Sequence, residues 1–184
     1  YAILFVVIFA ETGFVVTPFL PGDSLLFAVG ALTAVDTSGT LRLVPMMLLL
    51  MTAAILGNTL NYAIGHRIGA RAFSGRYRFF KVEHLRRTEE FFQRHGGMAV
   101  VLSRFVPIVR TFAPFVAGIG AMTYARFQAY NIGGAVLWVG SLSVAGYLFG
   151  NLPIIQNNLT LVIFAIIFIS VLPAIIGYPK HRRA

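Results

Sequence analysis

Four ionisable residues stand inside otherwise apolar, proline-broken stretches of this 184-residue chain: Glu11, Asp23, Arg104 and Arg110. An arginine stays protonated and presents a planar fork that fits phosphate oxygens. A carboxylate in a poorly solvated pocket gains proton affinity. Two guanidiniums and two carboxylates around one cavity could therefore hold an anion and carry protons. If the stretches lie in a bilayer, each unpaired charge at its centre costs about 2.5 to 3.5 kcal/mol, so the four are expected to be paired or hydrated. The same residues could also serve only as ion pairs that fasten the two stretches together.

Spacing restricts how they meet. Glu11 and Asp23 are twelve positions apart, about 18 Å and 120° of rotation on a straight helix. The Pro21-Gly22 break between them permits a turn that folds Asp23 back toward Glu11. Arg104 and Arg110 would likewise diverge by about 120° on a helix, but Pro107 lies between them and allows both to face one cavity. Asn58 and Asn61, three apart on one helix face, and Asn131 further on are candidates to line that cavity or to bond between helices. Trp138 reads as a packing or anchoring residue.

The elements that position these residues are membrane elements. Hydrophobic residues make up 58% of the chain and charged ones 11%, against roughly 25% charged in an ordinary globular domain. Uncharged runs at 43–65, 128–150 and 159–178 are long enough to cross a hydrocarbon core about 30 Å thick. The segments 1–35 and 98–122 are apolar but broken, the first by Pro18 and Leu20-Pro21-Gly22-Asp23, the second by Pro107, Pro114, Gly118 and Gly120. Broken backbone at membrane depth is tolerated where protein or a water-filled cavity satisfies it.

The net charge of +9 comes largely from the connector 66–97 and from Lys180-His181-Arg182-Arg183. Both blocks flank apolar segments, which points to loops beside anionic headgroups rather than to nucleic acid. Re-entry of 98–122 puts both blocks on the cytoplasmic side and the uncharged 151–158 loop outside. By the same counting 1–35 enters from the outer face. The two segments echo one another faintly, Phe14-Val15-Val16 through Gly30-Ala31-Leu32 against Phe105-Val106 through Gly120-Ala121-Met122.

The expected fold class is an all-α integral membrane protein. It comprises three full transmembrane helices, two opposed re-entrant helical hairpins and a cytoplasmic amphipathic connector, in one domain over 1–184. Opposed broken helices of this kind carry substrate and coupling-ion sites in many transporters. The chain opens at Tyr1 already within an apolar run, and an upstream membrane helix is expected before it.

Several chemistries are disfavoured. The chain has no cysteine, hence no disulfide, thiolate nucleophile or cysteine-based zinc site. Its histidines lie in basic stretches without metal-ligand spacing, and neither metal nor cofactor is expected. Gly65-His-Arg-Ile-Gly69 and Gly146-Tyr-Leu-Phe-Gly150 match the small-residue pattern for close helix approach, a weak signal among 18 glycines.

Three strings carry a resemblance: ETGFVVTPFLPGDSLL from Glu11 to Leu26, Gly57-Asn58 with Asn61-Tyr62, and RFVPIVRTFAPFVAG from Arg104 to Gly118, followed by Asn131 and Trp138. The chain resembles the DedA family, whose eukaryotic relatives carry the SNARE-associated or VTT domain. The resemblance implies a multi-pass bacterial inner-membrane protein of the lipid flippase or scramblase class, linked to proton motive force. Undecaprenyl phosphate or a phospholipid is the implied substrate, and Glu11, Asp23, Arg104 and Arg110 match the family's functional positions. The partners expected are an anionic lipid headgroup and protons; a homo-oligomer is compatible with the sequence. The competing functions are a cation/proton antiporter, a non-catalytic membrane assembly factor and an intramembrane lipid phosphatase. The last lacks a histidine or metal constellation in the broken segments, so no enzymatic activity is expected.

Overall fold

The computed structural model describes residues 1–13, 22–68, 82–150 and 152–153. Among them every regular element is helical: α1 (Ala2–Gly13), α2 (Gly22–Val35), α3 (Leu43–Ile68), α4 (Val82–His95), α5 (Ala99–Ser103), α6 (Pro107–Val116) and α7 (Tyr124–Gly150). A 3-10 turn, Gly96–Met98, joins α4 to α5, and a π turn, Ala117–Ala121, follows α6. The expected span at 159–178, the Lys180–Arg183 tail, the connector's 69–81 and the turn at 14–21 lie outside the described residues.

Among the described residues two helices are long and apolar enough to cross a membrane. They are α3, of 26 residues, and α7, of 27, each about 40 Å long at 1.5 Å per residue. Only 33% of the most apolar stretch of each is buried. Aliphatic side chains such as Val44, Leu48, Val136, Leu137 and Leu148 stand exposed, which suits a lipid environment better than the centre of a water-soluble core. Both helices overrun the expected spans, α3 beyond Gly65 to Ile68 and α7 starting at Tyr124 rather than Gln128. A helix's backbone ladder does not stop where its side chains become polar, and Arg67 and Arg126 are carried on these extra turns.

The segment 98–122 is broken as expected, at Arg104–Val106 between α5 and α6. Val106 is extended and Pro107 opens α6, where the missing N–H is one of the helix's orphan donors anyway. Pro114 sits inside α6 without ending it, whereas Gly120, at φ 147°, departs from helical geometry within the π turn. The segment 1–35 is likewise two helices, α1 and α2.

The chain forms two compact units, Tyr1–Pro18 with Leu49–Trp138 and Phe19–Leu48 with Val139–Ala184. In the first, α6 packs against α1, α4 and α5, and Phe112, Phe115, Phe127, Tyr62 and Phe92 form an aromatic core. The expected amphipathic connector is represented by α4. It buries Thr88 and Phe92, exposes Glu89, Glu90, Gln93 and Arg94, and turns its apolar side toward α6. In the second unit, α2 meets the end of α7 through Gly146 and Gly150, which face the Phe27 carbonyl and the Ala31 backbone. The weak small-residue pattern thus marks a real close approach here. Gly65 marks another, against the carbonyl of Phe115, while Gly69 lies outside the described residues.

That contact predicts a contrast. A Cβ on Gly65 would run into main-chain atoms of Phe115, which cannot swing aside, whereas one on Gly133 would meet nothing within 4 Å. Gly65→Val is therefore expected to destabilise the protein by about 1 to 3 kcal/mol or more, and Gly133→Ala to leave it unchanged or slightly firmer. Thermal unfolding in detergent reads both.

The loop after α2 is organised by Asp36. Its carboxylate accepts from the Ser38 hydroxyl at 2.5 Å, the Ser38 amide at 3.0 Å and the Leu41 amide at 2.6 Å. The Ser38 hydroxyl, then the Leu41 amide, hold its pKa below the ordinary value. With the folded value below the unfolded one, the contribution is complete above the unfolded pKa and is lost as pH falls through the folded one. Hydrogen exchange at the Leu41 amide should stay protected through neutral pH and weakly acidic conditions, and open only in strong acid. Asp36→Ala should remove that protection at every pH.

Candidate functional site

Glu11 occupies the last turn of α1 and is 1% exposed. Its Oε1 forms a salt bridge with Nη2 of Arg110, from the first turns of α6. Arg110 also donates from Nη1 to the main-chain carbonyl of Arg104 at 3.5 Å, so it reaches back over the break between α5 and α6. Because the backbone turns at 104–106, the two arginines escape the angular divergence of a continuous helix. Both guanidiniums lie against the ring of Trp138, 5.6 Å from its centroid for Arg104 and 5.1 Å for Arg110. That distance suits cation–π attraction.

Arg104 is 3% exposed and, among the described residues, has only neutral acceptors. Its Nη2 donates to the side-chain oxygen of Asn131 at 2.8 Å and to the Asn131 carbonyl at 3.3 Å. Among the described residues it has no acidic partner, and its Nε is buried without a hydrogen-bonding partner. Oε2 of Glu11 and Oδ1 of Asn61 are equally unsatisfied.

Asn131 is the hub of the surrounding amides. Its oxygen accepts from Asn58 at 3.0 Å as well as from Arg104. Its amide donates to the Ile55 carbonyl at 3.2 Å and to Gln128 at 3.1 Å. Gln128 in turn donates to the hydroxyls of Thr59 at 2.7 Å and Tyr124 at 2.9 Å. Asn61 ties α1 to α6 by donating to the carbonyls of Thr12 at 3.3 Å and Thr111 at 2.8 Å. All three asparagines singled out in the sequence are buried.

The structure thus brings together Glu11, Arg104, Arg110, Asn58, Asn61 and Asn131 in the first unit. Asp23 belongs to the second unit. It is exposed, in the first turn of α2, where a carboxylate is favoured by the helix dipole; the turn expected to fold it back toward Glu11 falls in 14–21, outside the described residues. One polar residue of this network, Gln128, was not singled out in the sequence. Gln128 was signalled by its place three before Asn131, hence on the same helix face, but it stood at the expected start of the span. Trp138, read as packing, is the shared platform of both arginines, and seven residues after Asn131 it too shares that face.

Among the described residues no three His, Cys, Asp or Glu side chains gather to hold a metal ion. What does gather is cationic and amide-rich, suited to binding an anion's oxygens.

The VTT domain family model matches residues 20–148. The chain is 51% identical over its full length to "Protein DedA" of Escherichia coli (strain K12), covering 84% of that protein. It is 41% identical to an uncharacterised membrane protein of Mycobacterium leprae, over 97% of this chain and 81% of the relative. Against "Inner membrane protein YqjA" of Escherichia coli it is 37% identical, over 84% of this chain and 69% of that one. No solved structure is significantly similar. With a domain match across most of the chain and half-identity along its whole length, the chain belongs to the DedA family of VTT-domain membrane proteins.

Proposed function

We propose that the chain is a proton-linked flippase or scramblase of an anionic lipid phosphate, undecaprenyl phosphate or a phospholipid, in the bacterial inner membrane with its C-terminus cytoplasmic. In this reading 1–35 and 98–122 are re-entrant from opposite faces, Arg104 and Arg110 bind the phosphate, and Glu11 and Asp23 carry the protons. The observation that supports it most is Arg104, a deeply buried guanidinium that, among the described residues, has only neutral acceptors and an Nε without a hydrogen-bonding partner. A buried cation without a counter-charge is costly, and a phosphate would supply both the charge and the missing acceptor.

Coupling follows from the Glu11–Arg110 bridge. While Glu11 is ionised it occupies Arg110; a proton on Glu11 removes that hold and releases the guanidinium for a phosphate. Loss of the proton restores the bridge and expels the headgroup. The scheme uses binding and proton transfer alone, with no bond to the phosphorus made or broken.

The test is purified protein in liposomes with a pH gradient imposed, following the leaflet distribution of a labelled polyprenyl phosphate and a labelled anionic phospholipid. Movement that requires the protein and responds to the gradient supports the reading. No redistribution of either lipid removes it.

A further inference from the structure

Away from the buried cluster, an open groove of about 670 Å³ lies where the end of α3, the π turn and the start of α7 come together. Its walls include Tyr62, His66 and Arg67 from α3, Gly120, and Thr123 and Tyr124 at the head of α7. The groove sits at a fixed level in the molecule. On α3 the charge-free run ends at Gly65 and Arg67 is the first charge beyond it; on α7 the last charge before the long apolar stretch is Arg126. That is the headgroup level of a bilayer, where tyrosines and arginines concentrate.

The chemistry of the walls is directional. His66 stacks on Tyr62, their rings 6.3 Å apart and 8° from parallel. Tyr62 packs on Phe127 at 4.5 Å and gives its own proton to the Met122 carbonyl at 3.0 Å, so this side is a rigid aromatic wall. Arg67, Thr123 and Tyr124 are exposed. The Tyr124 hydroxyl accepts from Gln128, which leaves its proton to donate. The floor at Gly120 has φ 147° and nothing within 4 Å of where a side chain would begin, so the space there is kept open by a backbone conformation that favours glycine.

A thread of side chains leads inward from this groove. Tyr124 bonds Gln128, Gln128 bonds Asn131, and Asn131 holds Arg104. We infer that the groove is a docking site for the phosphate headgroup of an anionic membrane lipid at the membrane surface, from which the headgroup is handed to Arg104. Arg67 supplies the charge, Thr123 and Tyr124 the hydroxyl donors, and the open mouth admits a headgroup whose tails remain in the bilayer. The handing-on rests on the transport reading; the docking itself does not.

Two variants leave the buried cluster intact: Arg67→Gln removes the groove's charge, and Ala63→Trp fills the groove without changing charge, since Ala63 is an exposed part of its wall. Arg126→Gln, which removes an equal charge from the neighbouring smaller groove, is the control. The protein is reconstituted in vesicles of phosphatidylcholine with graded phosphatidylglycerol, and retained lipid is measured by native mass spectrometry beside the transport rate. Arg67→Gln is expected to weaken retention of phosphatidylglycerol about fivefold, with the lipid fraction for half-maximal transport rising equally and the maximal rate unchanged. Ala63→Trp should do at least as much, and Arg126→Gln far less.

Equal effects of Arg67→Gln and Arg126→Gln would reduce the groove to bulk charge and overturn the inference. So would retention unaffected by Arg67→Gln and Ala63→Trp, or displacement of the lipid by millimolar inorganic phosphate. Lipid retention lost on groove filling in a protein that transports nothing would uphold the docking site while removing the transport reading.

Discussion

Arg104→Lys is expected to lower lipid-phosphate transport by roughly 10- to 100-fold while the protein still folds, the loss matching one or two charge-assisted hydrogen bonds. The guanidinium does three things at once: it donates to the side chain of Asn131, donates to the Asn131 carbonyl and lies against Trp138. An ammonium keeps the charge but has no flat face to lay on the indole and no fork to share between Asn131 and a phosphate. The competing antiporter function separates at this substitution. If the arginines serve only to neutralise carboxylates, lysine should suffice and proton-linked cation movement should continue. Full lipid transport by the Arg104→Lys protein would remove phosphate recognition from Arg104, while loss of folding detected by size exclusion would be met by repeating the measurement with Asn131→Asp. That variant offers Arg104 an internal counter-charge, at the loss of the donations from Asn131 to Ile55 and Gln128, and wherever it folds it is expected to bind the lipid phosphate poorly.

Glu11→Gln is expected to destabilise the protein by about 3 kcal/mol, because it breaks a buried ion pair. The side chain of Arg110 is 10% exposed and that of Glu11 1%, so water can do little to relieve it. Glu11→Gln combined with Arg110→Gln should recover much of that loss, as two neutral amides can bond to each other, yet should transport nothing. The thermodynamic cycle from thermal unfolding gives the coupling between the pair. In liposomes, Glu11→Gln should make residual transport indifferent to the pH gradient, since the group proposed to exchange the proton is gone. Transport by Glu11→Gln that still follows the gradient at wild-type strength would assign coupling elsewhere, with Asp23 the next residue to substitute. The assembly-factor function predicts otherwise: stability would fall with each charge removed, without any selective effect on lipid movement.

Much of this fold was legible before any coordinates. The spans at α3 and α7 follow from uninterrupted apolar runs, and the break before α6 from Pro107, because hydrophobicity and proline geometry act through neighbours in the chain. The amphipathic face of α4 is likewise a matter of spacing. Their ends were read short, since charge at Arg67 and Arg126 changes the solvent preference of a side chain without interrupting the backbone ladder.

By itself the sequence determined which charged residues would stand in apolar surroundings, where the helices would break, and that Asn58, Asn61 and Asn131 shared the same polar concern. Only the tertiary structure decided who holds whom: Glu11 with Arg110 across 99 positions, Asn58 with Asn131 across 73, and Trp138 beneath both arginines. It also put Asp23 at the exposed start of α2. Local spacing limits the direction in which a side chain leaves its own helix, but a counter-charge is found wherever packing brings another helix within about 4 Å, and that distance is set by the close approaches of glycines and aromatic rings far apart in the chain.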